Sequence, residues 1–199
     1  MLNSSFSQEE AEPVYNSRLI VGYSIGFFYP KAVNQYLEDL YSMYTFESGF
    51  PEIIINYYLN LGYSHTIQKN FDIEFLGDIA WAPKFIVITN GPSDFHSYWK
   101  FSGGILPQIK IPMKEDFLFI SAGPSYNFLK FHSNEGSALG FKTKLGYIYN
   151  KRQGFQVFGM FDYAKTDIDR PSIFSGPSGY VPELSYVNFS IGANFYFGL

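Results

Sequence analysis

From Arg18 onward the chain alternates. Leu19, Val21, Tyr23, Ile25 and Phe27 fall on one face, and Ile20, Gly22, Ser24, Gly26 and Phe28 on the other. A period of two residues belongs to a strand with two different surfaces, because a helix repeats every 3.6. The pattern returns with Ile53, Ile55, Tyr57, Leu59 and Leu61 against Glu52, Ile54, Asn56, Tyr58, Asn60 and Gly62. It returns again with Phe71, Ile73, Phe75, Ile79 and Trp81 against Asp72, Glu74, Leu76, Asp78 and Ala80. Five further segments keep the same period: Trp99 to Ile111, Phe117 to Leu129, Ala138 to Tyr149, Phe155 to Tyr163, and Tyr186 to Phe197. About eight strands of roughly ten residues or a little more result, the length that crosses a bilayer at a barrel tilt.

Composition agrees with interleaved faces. The chain is 46% hydrophobic and 21% aromatic but only 16% charged, yet its mean hydropathy is −0.07. No apolar run approaches the roughly 18 residues of a membrane helix, since Leu19 to Tyr29 is broken by Gly22, Ser24 and Gly26. A net charge of −4 gives no basic footprint for nucleic acid. Without cysteine, disulfides and thiolate metal sites are excluded. Residues 1–17 are polar and acidic (Glu9, Glu10, Glu12) and lack a basic or apolar leader region, so a flexible tail is expected, with any export signal already removed.

The connections add independent information. The first, third and seventh are long, whereas the second, fourth and sixth are short and polar: Gln68-Lys69-Asn70, Pro112 to Asp116, and Asn150 to Gln153. Long outer loops alternating with short inner turns are the habit of outer-membrane barrels, and an even strand number then places both termini on the periplasmic side. The fifth connection, around His132 to Glu135, departs from this by being short.

Alternation does not say which face meets which solvent, since a soluble lipocalin-like barrel keeps its apolar residues inside and a membrane barrel turns them out. Size decides. The apolar face carries bulky residues, while the other holds Gly22, Ser24, Gly26, Ser102, Gly104, Ser121, Gly123, Ser125, Ser190 and Gly192. An eight-stranded interior has room only for interdigitated side chains, so the small face is expected inside. Aromatics near the strand ends, such as Trp81, Trp99, Tyr147, Tyr149, Phe195 and Phe197, suit interfacial girdles.

The final strand, Ser190-Ile191-Gly192-Ala193-Asn194-Phe195-Tyr196-Phe197, resembles the C-terminal assembly signal of bacterial outer-membrane proteins. Residues 18–199 resemble the small outer-membrane barrels of the OmpA, OmpX and OmpW type. The resemblance implies that Gly192, Phe195 and Phe197 are read by the barrel-assembly machinery.

Parity places Asp72, Glu74 and Asp78 of the third strand in the lumen, with Lys100 and Lys110 of the fourth and Lys142 and Lys144 of the sixth. Counting from the inner turns sets Glu74 and Asp78 at heights comparable with Lys144 and Lys142, and Asp72 near Lys110. Buried charges must be paired, so an ionic lattice is expected, in preference to a charged ion path. No catalytic, cofactor or metal constellation is expected. The neighbours Ser64-His65, His96-Ser97 and His132-Ser133 raise a lipid A hydrolase as an alternative, because resembling deacylases carry His-x-Ser. Adjacent strand residues, however, point to opposite faces.

Lys31 to Thr45 switches to helical spacing (Val33, Leu37, Leu40, Tyr44) after Pro30, and a short helix in the first outer loop is expected. The expectation is thus an all-β, eight-stranded, antiparallel, up-and-down transmembrane barrel, monomeric and non-enzymatic, in the outer membrane of a Gram-negative cell. Its partners would be membrane lipid, lipopolysaccharide and the assembly machinery, with a small hydrophobic ligand or an extracellular partner at loops 29–49 and 165–184. A narrow channel or lateral path for small hydrophobic solutes is the alternative, and a soluble binder remains a further one.

Overall fold

The computed structural model describes residues 17–29, 54–86, 94–114, 116–131, 134–149, 154–165 and 185–198. They form eight strands: β1 Ser17–Tyr29, β2 Ile54–Gln68, β3 Phe71–Ile86, β4 Asp94–Met113, β5 Asp116–Phe131, β6 Asn134–Tyr149, β7 Phe155–Ala164 and β8 Tyr186–Gly198. Each pairs antiparallel with the next, and β1 pairs with β8, so the sheet closes without an edge. The expected tail, the first-loop helix over 31–45 and His132-Ser133 lie outside the described residues.

Several strands run longer than the alternation: β2 continues to Gln68 and β6 begins at Asn134. β3 continues to Ile86 and β4 begins at Asp94, where Ile86 faces Asp94. Backbone pairing there outlasts the side-chain pattern that marks strands in a sequence.

The ladder is staggered. Followed once round, Ile20 faces Gly62, then Leu76, Gly104, Ser125, Gly140, Ala164 and finally Tyr186, one step past the Tyr29–Val187 pair. A circuit therefore climbs about ten residues, which for eight strands tilts them by about 40°. Such a narrow, coiled wall brings backbones close. A Cβ on inward Gly192 would lie 2.4 Å from Ser24 Cβ and 2.6 Å from the Tyr23 carbonyl oxygen. At Gly123 it would lie 2.0 Å from the Ile105 carbonyl oxygen.

Faces alternate throughout. The outward face is a sleeve of large apolar side chains, among them Leu139 (77% exposed), Ile191 (65%) and Leu145 (62%). Outward rings gather at two levels. Tyr57, Trp81, Trp99, Phe101 and Phe128 follow one another with ring centres 6.2–6.5 Å apart. Tyr149, Phe155 and Phe195, 5.1–6.0 Å apart, form the other level near the tight-turn end.

One seam is irregular. β4 and β5 pair at Gly104–Ser125 and again at Gln108–Ser121 in the same register, but not between. Pro107 and Pro124 fall in that gap, and both keep their pairing with the strand on their other side, β3 and β6. Their nitrogens therefore face each other's strand, and two donors are missing from one stretch of ladder.

Candidate functional site: the barrel lumen

The inward residues of the strands converge on the bore, and charge climbs it in tiers. Nearest the tight turns, Lys110 Nζ donates to Asp72 Oδ1 at 2.6 Å, and Arg18 Nη2 lies 3.6 Å from Asp72 Oδ2. The Arg18 guanidinium covers the Tyr196 ring at 5.4 Å. Above, Lys144 donates to Glu74 Oε1, with its ammonium 4.9 Å from the centre of the Phe158 ring. Apolar clusters pack around this level: Ile20, Leu76, Leu106 and Tyr196, and Phe119, Ile148, Phe158 and Met160.

Higher still, Lys142 donates to Asp78 and to Ser102, and Ser102 Oγ donates to Asp78 Oδ2 at 2.8 Å. Lys100 Nζ joins the same carboxylate at 3.1 Å and also pairs with Asp162. Aromatics close over it: Lys100 Nζ lies 4.7 Å from the Tyr58 ring centre and 5.2 Å from that of Tyr186. Phe28 then packs on Tyr98 at 4.4 Å and on Tyr186 at 5.3 Å.

Asp72, Glu74, Asp78, Lys100, Lys110, Lys142 and Lys144, the seven charges placed inward by parity, are all buried and meet one another or Asp162. Among the described residues Asp162 evens the balance, four buried carboxylates to four buried ammoniums, with Arg18 at the rim. Parity along β7 carries the signal for it, since Asp162 shares a face with Gln156, Phe158 and Met160. An ion left without a partner here would carry a desolvation cost of several kcal/mol. Each ammonium with a partner therefore has reason to stay.

Between Arg18 and Asp162 the described inward residues of β2, β7 and β8 include a set of amides that pattern alone does not single out. Asn56 Nδ2 donates to Asn188 Oδ1 at 3.0 Å and to the Tyr58 hydroxyl at 2.8 Å. Asn60 Nδ2 donates to Asn194 Oδ1 at 3.3 Å, and Asn194 Nδ2 to Gln156 Oε1 at 2.8 Å. Amides there bridge β2, β7 and β8 across the narrow, glycine-bearing β1.

Of the histidine neighbours, the pair Ser64-His65 lies within the described side chains and does not assemble a nucleophile and base. Ser64 is buried inward, whereas His65 lies on the outer face, stacked on Tyr63, with Nδ1 3.1 Å from Ser17 Oγ. Of the last-strand residues, Gly192 is wedged against β1, and Phe195 and Phe197 face outward, each about half exposed.

A closed, antiparallel, eight-stranded barrel with a bulky exterior and a packed interior is the architecture of the small outer-membrane barrels. Among solved structures the chain is similar to Ail, the attachment invasion locus protein of Yersinia pestis, with a TM-score of 0.50 and 13% identity over 91% of this chain and 97% of that one. It is similar to Neisserial surface protein A with a TM-score of 0.50 and 12% identity, covering 92% and 97%. At such identities the likeness is one of fold. No protein-family model and no curated protein matches the chain.

Proposed function

We propose that the chain is an integral barrel of the Gram-negative outer membrane, with a side-chain-filled lumen and no enzymatic role, acting as a structural or surface-interaction protein. The observation that carries the reading is the inversion of the two faces: large apolar side chains sheathe the outside and the charges lie within. In water such a sleeve would far exceed the few hundred Å² of contiguous apolar surface that soluble monomers tolerate. In lipid it is the required surface. Both termini are periplasmic in this reading, and loops 29–49 and 165–184 meet lipopolysaccharide or an extracellular partner. Gly192, Phe195 and Phe197 serve the assembly machinery.

The test is refolding with and without detergent. A monomer that is compact only in detergent or bilayers, and whose gel mobility shifts on boiling, is expected. A folded, monodisperse chain in detergent-free buffer would overturn the membrane reading. Planar-bilayer recording tests the lumen: steady single-channel currents that change in Glu74→Gln or Lys144→Gln would show an open bore.

The interrupted β4–β5 seam favours a second reading, a lateral path for small hydrophobic solutes. Proteoliposomes would then take up an apolar fluorophore faster than empty vesicles, and Pro107→Val with Pro124→Val would slow the uptake.

A further inference from the structure

Gly77, Gly103 and Gly159 point outward, against the trend of the other strand glycines. Gly159 sits under the ring of Phe189, 3.7 Å from where its Cβ would be. The other two are direct partners across β3 and β4, so the wall there bears no side chain. The hollow they leave holds about 390 Å³, within the range of about 300–1,000 Å³ typical of ligand pockets. Its rim is apolar (Leu59, Leu61, Ile79, Phe101, Tyr126 and Phe128), and Asp78 and Ser102, the inward neighbours of the two glycines, also line it.

Packing does not require these two glycines. A Cβ on Gly103 would meet nothing within 4 Å, and one on Gly77 would come no nearer than 3.4 Å, to the Leu61 carbonyl oxygen. The crowding at Gly123 and Gly192 is missing here. Glycine inside a strand loses entropy on folding and forgoes cross-strand contacts, so a side chain at either position would favour the strand. Two adjacent glycines with room above them keep a space open toward the outside.

We propose that this hollow seats one lipid acyl chain in a fixed position. The inference rests on the membrane reading. The hollow lies below the Trp81–Trp99 pair and above Phe75 on the same wall, between the two aromatic levels. At that depth of a membrane barrel the surroundings are hydrocarbon. An unfilled notch in lipid forfeits dispersion contacts on every side, and a flexible methylene chain is the component narrow enough to recover them. A second copy docking about a two-fold axis centred on the notch would set hollow against hollow and fill neither.

The test uses the refolded barrel in nonionic detergent doped with dimyristoyl phosphatidylethanolamine, read by native mass spectrometry. Wild type is expected to retain one lipid per chain, as is Ile191→Phe on β8, half the circumference away. Gly103→Leu is expected to lose it. Heat-modifiable gel mobility confirms that each variant is a barrel, and the paired Gly77→Ala, Gly103→Ala variant replaces Gly103→Leu if the larger side chain blocks folding. Equal retention by the filled variant, or none by wild type, would overturn the proposal while leaving the membrane reading intact. A wild-type dimer that Gly103→Leu dissociates would also overturn it, in favour of a contact between copies. Only folding without detergent removes the membrane reading itself.

Discussion

At the scale of single residues, the lumen illustrates how unequal the loss of one ion and the loss of a pair can be. Glu74 and Lys144 are both fully buried and are paired with each other. Glu74→Ala or Lys144→Ala strands the partner's charge, and a loss of about 3–5 kcal/mol is expected for each. The joint replacement Glu74→Ala, Lys144→Ala strands no charge and is expected to lose clearly less than the two single losses added together; urea titration of the barrel in detergent, arranged as a double-mutant cycle, gives the coupling directly. A double-variant loss equal to the sum of the two single losses would mean that the two charges do not interact. Gly192 permits a similar separation. A methyl there would collide with Ser24 Cβ and Tyr23 O, so Gly192→Ala is expected to impair unassisted refolding into detergent. Phe195→Ala and Phe197→Ala, which truncate outward side chains, are expected to refold but to assemble more slowly when the assembly machinery is supplied. Refolding kinetics with and without that machinery distinguish the two behaviours.

Among the elements, the β4–β5 seam is where the wall is weakest. Pro107 and Pro124 withdraw two hydrogen bonds from one stretch of ladder, and a buried hydrogen bond contributes on the order of 1 kcal/mol. Amides facing the gap, notably Ile105 and Ala122, are expected to exchange with deuterium faster than those of β2 and β3 at the same height. The Pro107→Val, Pro124→Val variant is expected to slow that exchange and raise the urea midpoint. Unchanged protection would show that the gap is closed by other means. This element also shows what a sequence conveys. Alternation around Ser102–Gly104 and Ser121–Ser125 reveals two strands and their faces, because a period of two follows from the pleat itself. It is silent on which flank a proline's missing donor points to, since that depends on the pairing phase with a neighbour. The same limit explains Asp162 and the Asn56–Asn188 bridge. Parity marks a residue as inward, but contact across the bore is set by the stagger of the whole ladder. Glu74 and Lys144 were accessible to counting because both can be referred to nearby tight turns; the apolar hollow at Gly77 and Gly103 was not, because its meaning appears only once the two glycines are paired.

For the whole molecule, closure and stagger together decide what is possible inside and out. Eight strands that climb about ten residues per circuit enclose a bore only wide enough for side chains. Among the described residues that interior holds four carboxylates, four ammoniums and their aromatic neighbours. The wall supplies a sleeve interrupted at Gly77 and Gly103 and a seam loosened by two prolines, both on the β3–β5 side. Within the same arc, Glu74 is the ladder neighbour of Leu106, and Lys144 that of Ser121. Their ion pair leaves β3, passes over β4 and β5, and lands on β6, directly behind the stretch where β4 and β5 are not hydrogen-bonded to each other. The pair thus spans the gap from the inside, so that side chains of the two strands beyond it, β3 and β6, join the wall where β4 and β5 do not pair.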